Sequence, residues 1–238
     1  MIKLSVVVPC YNEEKNIPLL IEKFSEAIYK RKASDEIEVV LVNNGSTDNS
    51  STVFNTLLPR YKFVKLVTIG INNGYGFGFI QGLNACSGEY IGWTHADLQT
   101  DPNDVLKAFE IIKKDNSNNL FIKGSRRGRS IYDNFFTLGM SIFESIFLFT
   151  HLYEINAQPN IFPKAFFKCW QEPPYDFSLD LYVYYLSKKH KLKQVRFSVS
   201  FPSRLFGVSK WNTGLKSKLS FVKRTIKFSY ELRKRGIK

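Results

Sequence analysis

The stretch "THADLQTDP", residues 94–102, follows the apolar run "EYIGW" and carries two acids, a His and a Gln. Asp97 falls where a strand should end. On extended backbone His95, Asp97 and Gln99 alternate, so their side chains can point the same way. Three oxygen or nitrogen donors on one edge suit Mg²⁺ or Mn²⁺ bridging a diphosphate. Imidazole is a poor Mg²⁺ ligand and an acceptable Mn²⁺ ligand, so His95 either lowers metal affinity or moves the preference toward Mn²⁺. Helix capping is the competing role for the two acids. It suits Asp101, because Pro102 marks a helix start directly after it. It suits Asp97 poorly.

The surrounding elements must hold that edge in place. "KLSVVVPCY" is a continuous β-branched run and predicts a buried parallel strand. Ile17, Leu20, Ile21, Phe24 and Ile28 form a helical stripe. The same alternation continues through "IEVVLVNNGS", a helix from Asn49 to about Leu58, "VKLVTIG", a helix within "GYGFGFIQGLNAC", "EYIGWTHAD", "PNDVLKAFEIIKKD" and "LFIKGSR". This βαβα rhythm predicts an α/β fold of Rossmann type, a mostly parallel central sheet with helices on both faces. Ligands in such sheets sit beyond the carboxyl ends of the strands. The loops to watch are therefore "PCYNEE", "NNGSTD", "NNGYG" and "THADLQTDP".

After Arg129 the rhythm changes. A long aromatic segment, "DNFFTLGMSIFESIFLFTHLYEI", precedes the turn-rich "NAQPNIFPKAFF". A helix at "SLDLYVYYLSKKHK" and a strand at "VRFSVSFPSR" follow. The expected division is a catalytic domain over residues 1–212 and a basic amphipathic helical extension over 213–238.

Composition narrows the function. The net charge of +13 points to an anionic partner: nucleic acid, an anionic membrane or a phosphorylated substrate. No RNP pattern, zinc finger or helix-turn-helix is present, which argues against nucleic acid. Cys10, Cys86 and Cys169 are too far apart for a metal knuckle, and their number suits a reducing compartment. The start reads as a buried strand rather than a signal peptide, and no stretch reads as a membrane span. The first loop holds "PCYNEE" where a dehydrogenase would carry GxGxxG. Gly74, Gly76 and Gly78 then serve a tight turn and close helix packing, with the turn near a nucleotide.

Taken in order, "VVVPCYNEEKNI", "VLVNNGSTDNS", "GYGFGFIQGLNACSGEYIGWTHADLQ" and "FPSRLFGVSKWN" resemble family 2 of the A-type glycosyltransferases. The resemblance covers most of the chain and is nearest to the dolichyl-phosphate mannose synthases and bacterial polyprenyl-phosphate sugar transferases. It implies an inverting transfer from a GDP- or UDP-sugar. It places Pro9, Tyr11, Asn12, Glu13, Asn43, Asn44, Gly74, Ala96 and Asp97 on the donor, and Asp97, Gln99 and His95 on the metal. His95 stands where the synthases carry the first Asp of Asp-x-Asp-x-Gln, and Asn43 and Asn44 replace the acids of the second loop. Arg126, Arg204, Ser209 and Lys210 are the implied cradle of an acceptor phosphate. "NAQPNIF" lacks the Arg of the matching synthase segment, which leaves the donor sugar open.

The acceptor decides the remaining roles. A polyprenyl phosphate is anionic and needs cations, not a base. A saccharide hydroxyl needs a general base, for which Asp180 is the first candidate and Asp176 the second. Asp180 equally suits the role of a helix N-terminal charge. Asp97, Asp180 and Arg204 are the expected catalytic set. A sugar-nucleotide binder without activity is the competing reading, because His95 breaks the metal motif. From Lys216 onward there are nine Lys/Arg and one Glu. Leu215, Leu219, Val222 and Ile226 recur at helical spacing there, widened by Phe221, Phe228 and Leu232. Such a helix can lie in the headgroup layer of the cytoplasmic membrane face, with residues 135–149 as a second contact.

Overall fold

The computed structural model describes residues 1–128, 131–202 and 215–236, with the backbone alone at 131–133, 215–218 and 221. Arg204, Ser209, Lys210 and Trp211 lie outside the described residues.

Among the described residues seven strands form one sheet: β1 (Leu4–Cys10), β2 (Ile37–Asn44), β3 (Val64–Ile69), β4 (Tyr90–Trp93), β5 (Leu120–Arg127), β6 (Asn160–Pro163) and β7 (Lys193–Ser200). Their order is β3-β2-β1-β4-β6-β5-β7. The pairs β1–β2, β1–β4, β2–β3 and β5–β7 are parallel, and β6 runs antiparallel to both neighbours. The helices are α1 (Asn16–Lys30), α2 (Ser50–Leu57), α3 (Tyr75–Ala85), α4 (Pro102–Lys114), α5 (Ile131–Phe147), the short α6 (Lys164–Phe167), α7 (Leu179–Lys189) and α8 (Leu215–Lys234).

Period-2 alternation sends one strand into two cores. Leu4, Val6, Val8 and Cys10 of β1 join the α1 stripe of Ile17, Leu20, Ile21, Phe24 and Ile28. Val7, between them, joins a second core with Phe79 of α3, Trp93, Phe121 and Phe162 of the sheet, and Tyr182 of α7. Trp93 is fully buried among Phe79, Phe162 and Trp170, so it is a packing residue. At α4 the Asp101 carboxylate accepts the Asn103 amide at 2.8 Å, with Pro102 in the first turn. That is the capping role expected of Asp101.

Two local expectations fail. The fourth strand ends at Trp93 rather than running to Asp97. The turn-rich "NAQPNIFPKAFF" contains β6, wedged antiparallel between β4 and β5. A four-residue strand beside two prolines gives too short a pattern to separate from a turn.

Candidate active site

The four loops named from the sequence meet at the carboxyl edge of the sheet. They enclose a cavity of about 270 Å³ lined by Pro9, Tyr11, Glu13, Asn44, Asn72, Tyr75, Phe79, His95, Ala96, Asp97 and Phe177. Pro9, Tyr11, Glu13, Asn44, Ala96 and Asp97 therefore stand in the wall together. Asn12, Asn43 and Gly74 are not among the lining residues, and each has a neighbouring task.

Asn12 takes a left-handed φ of 57°. Its amide donates to Ser46 Oγ, and its Oδ1 accepts the Thr47 amide at 2.8 Å, which ties the first loop to the second. Asn43 donates to Ser51 Oγ and accepts the Ser46 amide, which shapes the turn into α2. Gly74 has φ 112°, and a Cβ there would meet the Tyr175 carbonyl at 2.5 Å. Its own carbonyl accepts from Asn44 Nδ2 at 3.2 Å. Asn44 is buried, and its Oδ1 has no hydrogen-bond partner among the described residues. A buried amide oxygen in that state favours any ligand that brings an N–H.

His95 and Asp97 both line the cavity, but Gln99 does not join them. The expected alternation breaks because Leu98 adopts φ 57°. The Gln99 amide folds back on Asp97 Oδ1 at 3.1 Å, and Gln99 Nε2 donates to the Pro202 carbonyl at 2.9 Å. Gln99 thus stitches the strand-end loop to the end of the β7 segment. No group of three or more His, Cys, Asp or Glu side chains that could hold a metal is present among the described residues. The candidate protein ligands that remain together are one carboxylate and one imidazole.

Around Asp180, named from the sequence, lies a layer whose other members, Tyr75, Phe177, Lys123, Gln158 and Asn160, sequence reasoning missed. Tyr75 and Phe177 stack at 4.1 Å and form an aromatic wall. The Tyr75 hydroxyl donates to Asp180 Oδ2 at 3.0 Å and accepts from Gln158 Nε2 at 2.8 Å. Asn160 Nδ2 donates to Asp180 Oδ1 at 2.9 Å. The same Asn160 accepts from Lys123 Nζ at 2.6 Å, and Lys123 also donates to the Ile155 and Ala157 carbonyls. Asp180 is 2% exposed and is not among the cavity-lining residues. Burial pushes its carboxyl up, against the pull of Lys123 and His95. Burial likewise pushes the Lys123 amine well down, opposed by Asp180. A lysine in the apolar strand "LFIKGS" was the signal available, since a buried cation demands an acid and acceptors nearby.

The other predicted residues fall apart from this layer. Arg126 pairs with the buried Glu154 at 3.4 Å and lies over the Phe201 ring. Asp176 accepts the Ser178 amide at 2.8 Å ahead of α7 and pairs with Arg224. His190 ends α7 edge-on to Phe166, and His151 is exposed; neither reaches the cavity lining.

A sheet-end cavity built from these four loops agrees with the sequence pattern described as Glycosyl transferase family 2, which matches residues 5–196. The chain belongs to that family. Among its relatives, the undecaprenyl-phosphate 4-deoxy-4-formamido-L-arabinose transferase of Yersinia enterocolitica is 31% identical over 114 residues, 47% of this chain and 34% of the relative. The Serratia proteamaculans protein of the same name is 29% identical over the same shares. The match thus spans about a third of the length of these relatives. Glucosyl-3-phosphoglycerate synthase of Mycobacterium tuberculosis, solved with Mn²⁺, UDP and glucosyl-3-phosphoglycerate, superposes with a TM-score of 0.69 at 15% identity. That superposition covers 94% of this chain and 77% of the synthase. TarS 1-349 of S. aureus gives a TM-score of 0.57 at 22% identity over 78% of this chain and 55% of its own. At these identities the solved structures speak for the fold: the nucleotide-sugar transferase type of α/β sheet.

Proposed function

We propose that the chain transfers a sugar, with inversion, from a nucleotide-diphosphate sugar to the phosphate of a polyprenyl-phosphate carrier at a membrane surface. One observation carries the choice of acceptor. Of the described acids in the cavity wall, Asp97 is assigned to the ion and Glu13 to the donor, and Asp180 lies behind the wall with both oxygens engaged. A saccharide hydroxyl needs a base within hydrogen-bond reach. A phosphate brings its own negative charge. The polyprenyl-phosphate relatives point the same way.

On the donor side, Asn44 Oδ1 suits the imino N–H of a uracil or guanine, and Pro9 and Tyr11 flank it in the wall. Asp97 and His95 fit a divalent ion that takes its other ligands from the diphosphate and water. The imidazole favours Mn²⁺ over Mg²⁺. When bound, the ion supplies positive charge for the leaving diphosphate. Asp97 holds its own carboxylate in place through the Gln99 amide.

A membrane surface is supported by two helices. The α5 residues Phe135, Leu138, Ile142 and Ile146, with Phe149 just beyond, lie on one face and are exposed. Leu219, Ile226 and Tyr230 of α8 are exposed too, while its Phe228 and Leu232 are buried. The expected apolar face of α8 is therefore divided between the core and the outside; the side chains of Leu215 and Phe221 are outside the described set. Arg233 of α8 lies over the Phe147 and Phe149 rings. Among the described residues no helix is long and apolar enough to cross a membrane. An apolar stripe edged by cations suits the headgroup layer.

Incubation with UDP- and GDP-sugars, Mn²⁺ and polyprenyl phosphate tests the proposal. Release of nucleoside diphosphate that requires the lipid phosphate supports it. A melting shift with nucleotide and Mn²⁺, without any release, marks a binder instead.

A further inference from the structure

The helix α5 is turned inside out: Leu138, Ile142 and Ile146 are exposed, while Ser141 and Glu144 are buried. The serines of its inner side are occupied by the chain that follows. Ser141 Oγ accepts the Glu154 amide at 3.2 Å, and Ser145 Oγ accepts the Leu152 amide at 2.9 Å. Glu144 meets α8, whose Thr225, Phe228, Ser229 and Leu232 are buried. Its Oε1 has no hydrogen-bond partner among the described residues. Its Oε2 lies 2.6 Å from Ser229 Oγ, which also lies 2.8 Å from the Thr225 carbonyl. A hydroxyl has one proton to give. An ionised Glu144 and the Thr225 carbonyl must share it. A protonated Glu144 donates to Ser229 Oγ instead, and the hydroxyl proton then serves Thr225. Each of the two contacts has a proton of its own only in that state.

We propose that the joint between α5 and α8 is a proton-operated latch: protonated Glu144 holds α8 against the body, and loss of that proton lets α8 lift away. A buried anion with one shared donor is costly, and lifting α8 gives it water. Burial raises the Glu144 pKa to about 7, opposed by the Ser229 hydrogen bond, whereas an exposed Glu titrates near about 4.3. The closed joint therefore binds the proton more tightly than the open one. Opening grows as pH rises from about 4.5 to 7 and levels off above. The charged groups around the joint have other contacts. On α8, Lys223 is exposed, Arg224 pairs with Asp176, Lys227 with Glu231, and Arg233 donates to the Phe147 carbonyl. Behind α5, Glu154 pairs with Arg126, and on α7 Asp180 is held by Tyr75 and Asn160. The latch reaches the cavity through α8, because Arg224 packs over the Phe177 ring of its wall at 5.4 Å.

Backbone hydrogen exchange, read peptide by peptide, tests the latch on the full chain. Wild type and Glu144→Gln are compared at pH 5 and at pH 8. Taking the ratio of their rates at one pH cancels the pH dependence of the exchange chemistry itself. In peptides covering residues 222–234 that ratio, wild type over variant, should rise tenfold or more from pH 5 to pH 8. In the same pH 8 sample α1 and α4 should exchange at least tenfold more slowly than α8, which marks the opening of one helix in a folded body. Ser229→Ala, measured against Glu144→Gln in the same way, should rise more steeply than wild type, because the buried anion loses its donor. A ratio that does not change with pH overturns the proposal. So does equal exchange of α8, α1 and α4 at pH 8, which is unfolding of the whole chain rather than release of a latch. A shallower rise in Ser229→Ala than in wild type overturns it as well.

Discussion

Asp97 is buried within the loop between β4 and α4, yet it lines the cavity. A carboxylate in that position gains most from a cation delivered with the ligand. Asp97→Ala should lower turnover by two orders of magnitude or more, about the scale of removing a charge-stabilising group. His95→Asp should keep or raise activity with Mg²⁺, because a second carboxylate replaces the imidazole. Normal turnover by Asp97→Ala would remove the metal assignment. Asp180 gives the opposite profile. It compensates Lys123 through Asn160 from behind the cavity. Asp180→Asn removes the largest opposing charge beside that buried lysine, so the variant should melt lower than wild type. Turnover measured well below the lowered melting temperature should change little. Near-abolition of turnover in a folded Asp180→Asn protein would instead assign Asp180 as the base for a hydroxyl acceptor. Gln99 shows why residue roles were only partly legible: alternation assumed an extended chain, and one left-handed residue, Leu98, ended it.

At the scale of elements, α5 and α8 are joined by a buried acid. Ser229 Oγ donates to Glu144 Oε2 at 2.6 Å, and Glu144 is fully buried. Burial pushes the Glu144 carboxyl up to about 7, opposed by the Ser229 hydrogen bond. An unfolded Glu titrates near about 4.3. Between those two values the folded protein holds a proton that the unfolded chain has released. Stability should therefore fall as pH rises from about 4.5 to 7, by up to roughly 3 kcal/mol, and level off above. Glu144→Gln should flatten that part of the profile and melt higher than wild type at pH 8. Melting curves across pH check it, and an unchanged slope in the variant would assign the dependence to another group. The elements themselves were largely readable. Continuous β-branched runs and 3.6-residue stripes mark β1, β2, α1 and α4 because burial on defined faces imposes them. The strand β6 escaped because its pairing comes from β4 and β5, far away in sequence. Tyr75 and Phe177 escaped for a similar reason: each reads as ordinary packing until the fold stacks them.

At the scale of the molecule, the net charge of +13 and the two outward apolar stripes belong to one argument. Each basic residue at an anionic surface contributes about 1 kcal/mol, so several together retain a protein at such a surface without a spanning helix. Sedimentation with anionic liposomes should carry the protein down, less so at high salt. Replacing Phe135 and Ile146 by Ser should reduce it without unfolding, since both side chains are exposed. Removing α8 is a poorer test, because Phe228 and Leu232 are part of the core. Equal recovery in the supernatant with and without anionic liposomes would end the surface-docking claim. The order of the four loops made this much of the site legible from sequence, since a parallel sheet must bring its carboxyl-end loops together. The central claim is transfer of a sugar to a lipid phosphate. Its most direct measurement is the appearance of labelled sugar on polyprenyl phosphate in the organic phase, from a labelled nucleotide sugar with Mn²⁺. The account predicts a product of inverted anomeric configuration that the wild type makes and Asp97→Ala does not. Label found only on saccharide hydroxyls, or formed equally by Asp97→Ala, would contradict it.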